Sequence, residues 1–165
     1  MKSPIMAKIC VCASLFVCTT HIRADEAPHP DQVIHLSPEL LQLLRAEMRE
    51  ISNGIQGIAL SIAAADWRTI QETSAKISAS YIMKQSLTPA QAGELKHALP
   101  DRFKRLDADF HQRAERLGAA AAAQDAELTV FHYAHLVESC TRCHAQYASE
   151  RFPGFARPEE QAHHH

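Results

Sequence analysis

Apolar residues recur at alternating intervals of three and four in several separate segments of this 165-residue chain. In the first of these segments the recurring residues are Leu44, Met48, Ile51, Ile55, Ile58 and Ile62. Such spacing places the apolar side chains on one face of an α-helix. No stretch alternates with the period of two that is typical of a half-buried strand. The chain is therefore predicted to be all-α, with several helices that bury one face against each other.

Capping residues divide the chain between these stripes. Ser37-Pro38-Glu39 and Asp125 are typical helix starts, because the N-cap side chain accepts a hydrogen bond from an unpaired backbone N–H. Thr88-Pro89-Ala90-Gln91 starts a short connecting helix that we expect to end at His97. The expected long helices are 38–64, 66–84, 100–124 and 125–152. The inward face of the third is expected to include Phe103, Leu106, Phe110 and Leu117. That of the fourth is expected to include Val130, Tyr133, Val137, Cys140, His144 and Tyr147. Short links favour antiparallel neighbours, which predicts an antiparallel up-down-up-down four-helix bundle.

The last of these helices carries Cys140-Thr141-Arg142-Cys143-His144, and C-x-x-C-H is the attachment signature of a c-type haem. On a helix, thiols at i and i+3 lie one turn apart on one face, where they can form thioethers with the two vinyl groups of one porphyrin. His144 shares that face and can ligate the iron. A thiol redox pair would need an alternating β/α context, and structural zinc would need two more ligands. The sequence therefore predicts one covalently bound haem c inside the bundle.

Counting helical turns identifies a candidate ligand for the other side of the iron. In an antiparallel bundle the start of the first helix lies beside the end of the fourth. Met48 lies roughly 15 Å above Pro38, and His144 lies roughly 9 to 12 Å from the end of its helix, so the two come out at similar heights. We expect the Met48 thioether to be the second axial ligand. The alternatives are core packing by Met48 and ligation by Met83, which is otherwise expected to pack near the ring.

Further residues at the same height are candidates for the haem pocket. Phe103 and Phe110 on the third helix are expected to form an apolar wall that keeps water from the ring. Arg45 and Arg49 flank Met48 and are candidates to pair with the haem propionates. A solvated helix face is the alternative interpretation of these two arginines.

The first residues are typical of an export signal. Lys2 and Lys8 supply positive charge, an apolar run of about 11 residues follows, and Ala24 precedes the expected cleavage point. The run is shorter than the 20 or so residues that span a bilayer, so we expect a periplasmic mature protein without a membrane span. The predicted organisation is a signal peptide (1–24), an extended lead-in (25–37), a four-helix cytochrome domain (38–152) and a flexible tail (153–165).

Cleavage at that point also limits the chemistry of the mature chain. It removes three of the five cysteines and leaves Cys140 and Cys143, which excludes a disulfide scaffold. It removes three basic residues and no acidic ones, so 14 Lys and Arg remain against 19 Asp and Glu, a formal charge of −5. Because nucleic-acid binding requires a basic face, we expect no nucleic-acid partner.

The chain resembles the class II c-type cytochromes, the cytochrome c′ family, from roughly Pro38 to Phe152. The resemblance is carried by Leu99-Pro100-Asp101-x-Phe103 and by Cys140-x-x-Cys143-His144-x-x-Tyr147. One branch of that family leaves the iron five-coordinate and binds nitric oxide or carbon monoxide, and the other places a Met of the first helix on the iron and carries electrons. The chain is similar to the second branch because Met48 lies at the position of that ligand. In addition, Ala148 stands where gas-binding members often have a basic residue. The resemblance also implies a homodimer through the first helices.

These observations predict a one-electron carrier that is not an enzyme and whose partners are redox proteins. Ligation by Met and His keeps the iron low-spin and changes the ligand set little between oxidation states. The alternative is a five-coordinate protein that binds nitric oxide or carbon monoxide at an open distal position. A third hypothesis, haem-dependent peroxidase activity or redox sensing, requires a distal acid-base pair that the sequence does not display.

Overall fold

The computed structural model of the protein describes residues 34–155, and all regular structure within that span is helical. The helices are α1 (Pro38–Ala63), α2 (Trp67–Ala79), α3 (Pro89–Ala98), α4 (Asp101–Ala122) and α5 (Ala126–Tyr147), followed by a short 3-10 helix (Pro153–Phe155). The all-α prediction is confirmed. The predicted export signal (1–24), most of the lead-in (25–37) and the end of the tail (153–165) lie outside the described residues.

The four long helices form a closed bundle, in which α1 packs against α2 and α5, and α4 packs against the same two helices. Between α2 and α4, Ser74 lies beside Gly118 and Ile77 lies beside His111. Between α4 and α5, Arg113 contacts His135 and Arg102 contacts Gln146. In each helix pair one residue number rises as the other falls, so the neighbours are antiparallel as predicted. None of the helices in 34–155 is long and apolar enough to cross a membrane.

The predicted helix starts are stabilised by the caps that the sequence indicates. The Ser37 hydroxyl accepts a hydrogen bond from the Leu40 N–H, and the Asp125 carboxylate accepts one from the Leu128 N–H. At the start of α3 the Thr88 hydroxyl accepts the Gln91 N–H while the Gln91 side chain accepts the Thr88 N–H, which is a capping box. Local sequence therefore determines where these helices begin.

The closely packed part of the core lies at one end of the bundle. Its fully buried members come from the second half of α1, from α2, from the second half of α4 and from the first half of α5: Ile58, Ile70, Ile77, Ala114, Leu117, Ala121 and Leu136. A Cβ atom on Gly118 would lie 3.3 Å from the Cβ of Ser74, so the glycine allows α2 and α4 to approach closely. The C-x-x-C-H residues lie at the opposite end.

The second long helix ends five residues earlier than predicted, at Ala79 rather than near Lys84. Ser80 has a φ of 61°, which ends the helical path. The next three backbone N–H groups, those of Tyr81, Ile82 and Met83, donate to the carboxylate of Glu47 on α1. A long-range contact thus replaces the hydrogen bonds that would have continued the helix.

The predicted inward face of the last helix is wrong at one residue. Val130 is 51% exposed, and the fully or nearly buried side chains of α5 are Thr129, Leu136 and Ser139. Thr129 can be buried because its hydroxyl donates to the Asp125 carbonyl at 2.6 Å. The helix also ends at Tyr147, before the predicted stop at Phe152-Pro153-Gly154.

Candidate haem-binding site

The C-x-x-C-H residues occupy the last two turns of α5. Cys140, Cys143 and His144 are all half-buried, whereas Arg142 between them is exposed and lies 3.7 Å from Asp109 of α4. The helix therefore turns both thiols and the imidazole toward the bundle and the intervening arginine toward the exposed edge beside α4. Neither cysteine forms a disulfide.

The environment of the two thiols differs from that of a catalytic cysteine. Burial raises the pKa of Cys140, and burial, with the nearby Asp107 charge, raises the pKa of Cys143 to about 11. Both groups are therefore neutral thiols near pH 7, whereas thiol redox enzymes depend on a lowered pKa. Among residues 34–155 no three His, Cys, Asp or Glu side chains come together as a metal site. The raised pKa values of the two thiols thus argue against a thiol redox centre.

His144 is held in the form that binds iron. Burial, followed by the positive charge of Arg151, lowers the pKa of His144, so that the imidazole is neutral and a nitrogen lone pair is available. The Phe152 ring stacks on this imidazole, with centroids 4.5 Å apart and planes inclined by 17°. The sequence predicted only that Phe152 helps to end the helix. The stacking of Phe152 on His144 requires the chain to turn back after Tyr147, and the local sequence does not indicate this turn.

The first half of α4 supplies apolar and aromatic surface beside the motif. Phe103 packs edge-on against Tyr147 of α5, with ring centroids 5.2 Å apart. Phe110 packs against the core cluster, and Leu106 lies between the two phenylalanines along the helix. All of these side chains are only half-buried. The structure therefore places Phe103 beside Tyr147, three residues after His144, and Phe110 against the core cluster.

The predicted distal residues lie on α1 and on the link after α2. Met48 is 42% exposed, so it lies at the edge of the buried stripe and not within it as predicted. Arg45 and Arg49 are exposed, and neither makes an ion pair with another described residue. Met83 is half-buried in the link that Glu47 holds. No hydrogen bond between described residues joins these four side chains to the C-x-x-C-H motif.

Glu47 is the residue of this region that sequence reasoning missed. It is 3% exposed and lies in register with the buried Leu40, Ile51 and Ile58 of α1. The sequence feature that could have identified Glu47 is its position, at the helical spacing of the buried apolar residues of α1. A buried carboxylate needs hydrogen-bond donors, and here it has three from the backbone.

The donor set as a whole fits a covalently attached haem. Two neutral thiols one turn apart can form the thioethers, and a neutral imidazole on the same side of the helix can ligate the iron. Half-buried aromatic side chains of α4 and α5 flank these groups, and apolar surroundings set the potential and the water access of a haem.

The comparisons with known proteins agree with this chemistry. A family model described as Cytochrome C' matches residues 32–148, which include all five helices. The chain therefore belongs to the cytochrome c′ family, whose members bind one covalently attached haem c. No curated protein and no solved structure matches the chain significantly.

Proposed function

We propose that this cytochrome c′ family member is a periplasmic one-electron carrier whose haem iron is ligated by His144 and Met48. Cys140 and Cys143 form the thioethers in this proposal. Members of the family are generally haem-binding electron carriers or gas-binding proteins and not enzymes. Ligation by Met48 is what distinguishes the carrier from the gas binder, so the proposal depends chiefly on where Met48 lies.

One contact between α1 and α5 supports ligation by Met48. The Tyr133 hydroxyl donates to the Ile55 carbonyl at 3.4 Å, so the sides of the two helices that carry these residues face each other. Met48 lies seven residues before Ile55, close to two full turns, and therefore on the same side of α1. His144 lies eleven residues after Tyr133, about three turns, and therefore on the same side of α5.

The heights of the two residues are also compatible with ligation. The Met48 Cα lies about 10 Å along α1 from the Ile55 Cα, and the His144 Cα lies about 16 Å along α5 from the Tyr133 Cα, both toward the motif end. A helical side chain leans toward the N-terminus of its own helix. Because α1 and α5 run in opposite directions, Met48 leans toward the motif end and His144 leans back from it. The two side chains therefore lean toward each other along the bundle axis.

When bound, the haem supplies a centre that gains and loses one electron. The residues of the chain hold it and set its properties. His144 and Met48 keep the same ligand set in both oxidation states, and a thioether ligand raises the reduction potential. Phe103, Phe110 and Met83 exclude water from the ring in this proposal, and Arg45 and Arg49 pair with the propionates. Redox proteins are the proposed partners, and residues 1–24 are the proposed export signal.

The oxidised holoprotein tests the proposal by absorption spectroscopy. Wild-type protein is expected to show the weak far-red band of Met-to-iron charge transfer, and Met48→Ala is expected to lose it and to lower the midpoint potential. Met83→Ala is the matched control, because it removes the other methionine of the region, and it should retain the band. A band that survives in Met48→Ala and disappears in Met83→Ala would assign the ligand to Met83. A high-spin wild-type spectrum would refute the carrier.

Gas binding is the second candidate function, because the family includes gas-binding proteins as well as electron carriers. Carbon monoxide titration of the reduced wild-type protein measures this directly. Saturation at micromolar concentration, with little change in Met48→Ala, would make gas binding the primary function.

A further inference from the structure

The Glu47 carboxylate occupies a binding site made of three consecutive backbone N–H groups. One carboxylate oxygen accepts the Tyr81 N–H at 2.9 Å, and the other accepts the Ile82 N–H at 2.5 Å and the Met83 N–H at 3.2 Å. Successive N–H groups in a turn form a concavity that binds anions. Glu47 fills this concavity from α1, and at 3% exposure it is shielded from competing water.

The link that Glu47 holds is fixed by several further contacts. The Ser80 hydroxyl accepts the Lys84 N–H, and the Gln85 side chain donates to the Ser80 carbonyl at 2.7 Å. The Tyr81 hydroxyl lies 2.7 Å from where a Cβ on Gly54 would be, so the glycine lets Tyr81 lie against α1. The link is therefore a rigid support against which Glu47 can hold the helix.

Few other polar contacts determine where the first half of α1 lies. In the part of the chain that the structure describes, α1 and its cap form hydrogen bonds to other elements at three places only. These places are Ser37 with Glu94, Glu47 with the link, and Ile55 with Tyr133. Met48 lies between the last two and directly follows Glu47 in the sequence. Of these contacts, the one beside Met48 is that of Glu47, which with the buried Leu40 and Ile51 fixes this part of α1.

We propose that Glu47 is a positioning residue for the distal ligand, which holds the first half of α1 so that Met48 can reach the iron. This inference rests on the proposed ligation by Met48. Glu47 does not touch the haem in this proposal and takes no part in proton transfer. Its role is to raise the fraction of molecules in which the iron-to-Met48 bond is made.

The size of the effect follows from a two-state equilibrium between bound and detached Met48. Carbon monoxide binds only the detached form, so its apparent association constant is proportional to the fraction of that form. Glu47→Gln leaves amide hydrogens facing backbone N–H groups and so loses at least one charge-assisted hydrogen bond. We expect the apparent association constant to rise about tenfold, with partial loss of the far-red band.

The experiment is a double-mutant cycle on the reduced holoprotein with carbon monoxide as the probe. Glu47→Gln is measured in the wild-type background and in the Met48→Ala background, in which no distal bond remains to be broken. If Glu47 acts through Met48, its tenfold effect disappears in the second background. Glu50→Gln is the control for charge, because Glu50 lies on the same helix one turn away and is exposed.

A second control separates positioning from general stability. Ile70→Val removes a methyl group from the fully buried end of the core, and it should lower the melting temperature without changing carbon monoxide affinity or the far-red band. If Glu47→Gln yields no folded holoprotein, Glu47→Asp takes its place in the cycle, because the shorter carboxylate retains the charge but reaches fewer N–H groups.

The outcomes separate this inference from the proposed function. A wild-type far-red band with unchanged carbon monoxide affinity in both Glu47 variants overturns the role of Glu47 and leaves the carrier intact. An effect of equal size in the Met48→Ala background makes Glu47 structural only and also overturns the inference. A wild-type protein without the band refutes the carrier itself, and the positioning role with it.

Discussion

Replacing Ser74 by alanine should stabilise the protein, although most substitutions in a core destabilise it. Ser74 lies on α2, is fully buried, and its hydroxyl has no hydrogen-bond partner among the described residues. Its Cβ lies 3.3 Å from where a Cβ on Gly118 would be, so α2 and α4 are close together here. Alanine keeps that Cβ and removes only the oxygen, so the contact between the helices is preserved.

The expected gain combines three effects on the free energy of unfolding. A buried hydroxyl without a partner costs about 1–3 kcal/mol on the scale of protein mutations. Alanine is the better helix former by roughly 0.5 kcal/mol. The lost contacts of one oxygen offset about 0.5–1 kcal/mol. The net stabilisation is about 0.5–3 kcal/mol, and an unfolding entropy of about 2.1 cal/mol/K per residue over residues 34–155 converts it to a rise of about 2–12 °C in melting temperature.

Thermal unfolding of the holoprotein, followed by far-ultraviolet circular dichroism, measures this change. Ser139→Ala is the matched control, since Ser139 is also a buried helical serine but its hydroxyl donates to the His135 carbonyl at 3.2 Å. That variant loses a hydrogen bond and should gain no more than about 2 °C. A Ser74→Ala protein that melts at or below the wild-type temperature would refute the reasoning, since the hydroxyl would then have a stabilising partner.

Two further predictions concern Glu138 in the middle of α5 and Phe152 in the segment that follows this helix. Hydrogen bonds from Arg113 and then His135 lower the pKa of Glu138 below its usual 4.5, so the stability that this carboxylate contributes is present above that pH and is lost as the pH falls through the lowered value. The difference in melting temperature between wild type and Glu138→Gln should therefore shrink between about pH 5 and pH 3, and a difference that does not change with pH would contradict this. Phe152→Ala removes the ring stacked on His144 and should lower the melting temperature of the holoprotein by about 2–6 °C, from a stacking contribution of about 0.5–1.5 kcal/mol. The control is Phe155→Ala, which removes an exposed phenylalanine without that stack, and an equal loss in both variants would argue against a specific role for Phe152.

Local sequence was sufficient to predict most of the fold. Ser37, Thr88 and Asp125 cap their helices through hydrogen bonds to residues three positions away, so their signals are contained in single turns. The end of α2 was predicted wrongly because the donors that stop it bind Glu47, some 34 to 36 residues earlier in the chain. The inward face of α5 was misjudged at Val130 because a threonine that satisfies its own hydroxyl is buried instead.

The same distinction between local and long-range contacts applies to the candidate site. The attachment motif is local, because two thiols and an imidazole must lie within about one helical turn to reach one porphyrin. A distal ligand is not local, because it depends on how far α1 stands from α5. Counting from the helix ends gave Met48 a suitable height but an inward orientation, whereas the structure leaves it 42% exposed at the edge of the stripe. The position of Met48 depends on the contacts that hold α1, and these include the hydrogen bonds of its neighbour Glu47. We therefore expect electron transfer and gas binding in this family to be separated by contacts that hold the first helix as well as by the identity of the residue nearest the iron.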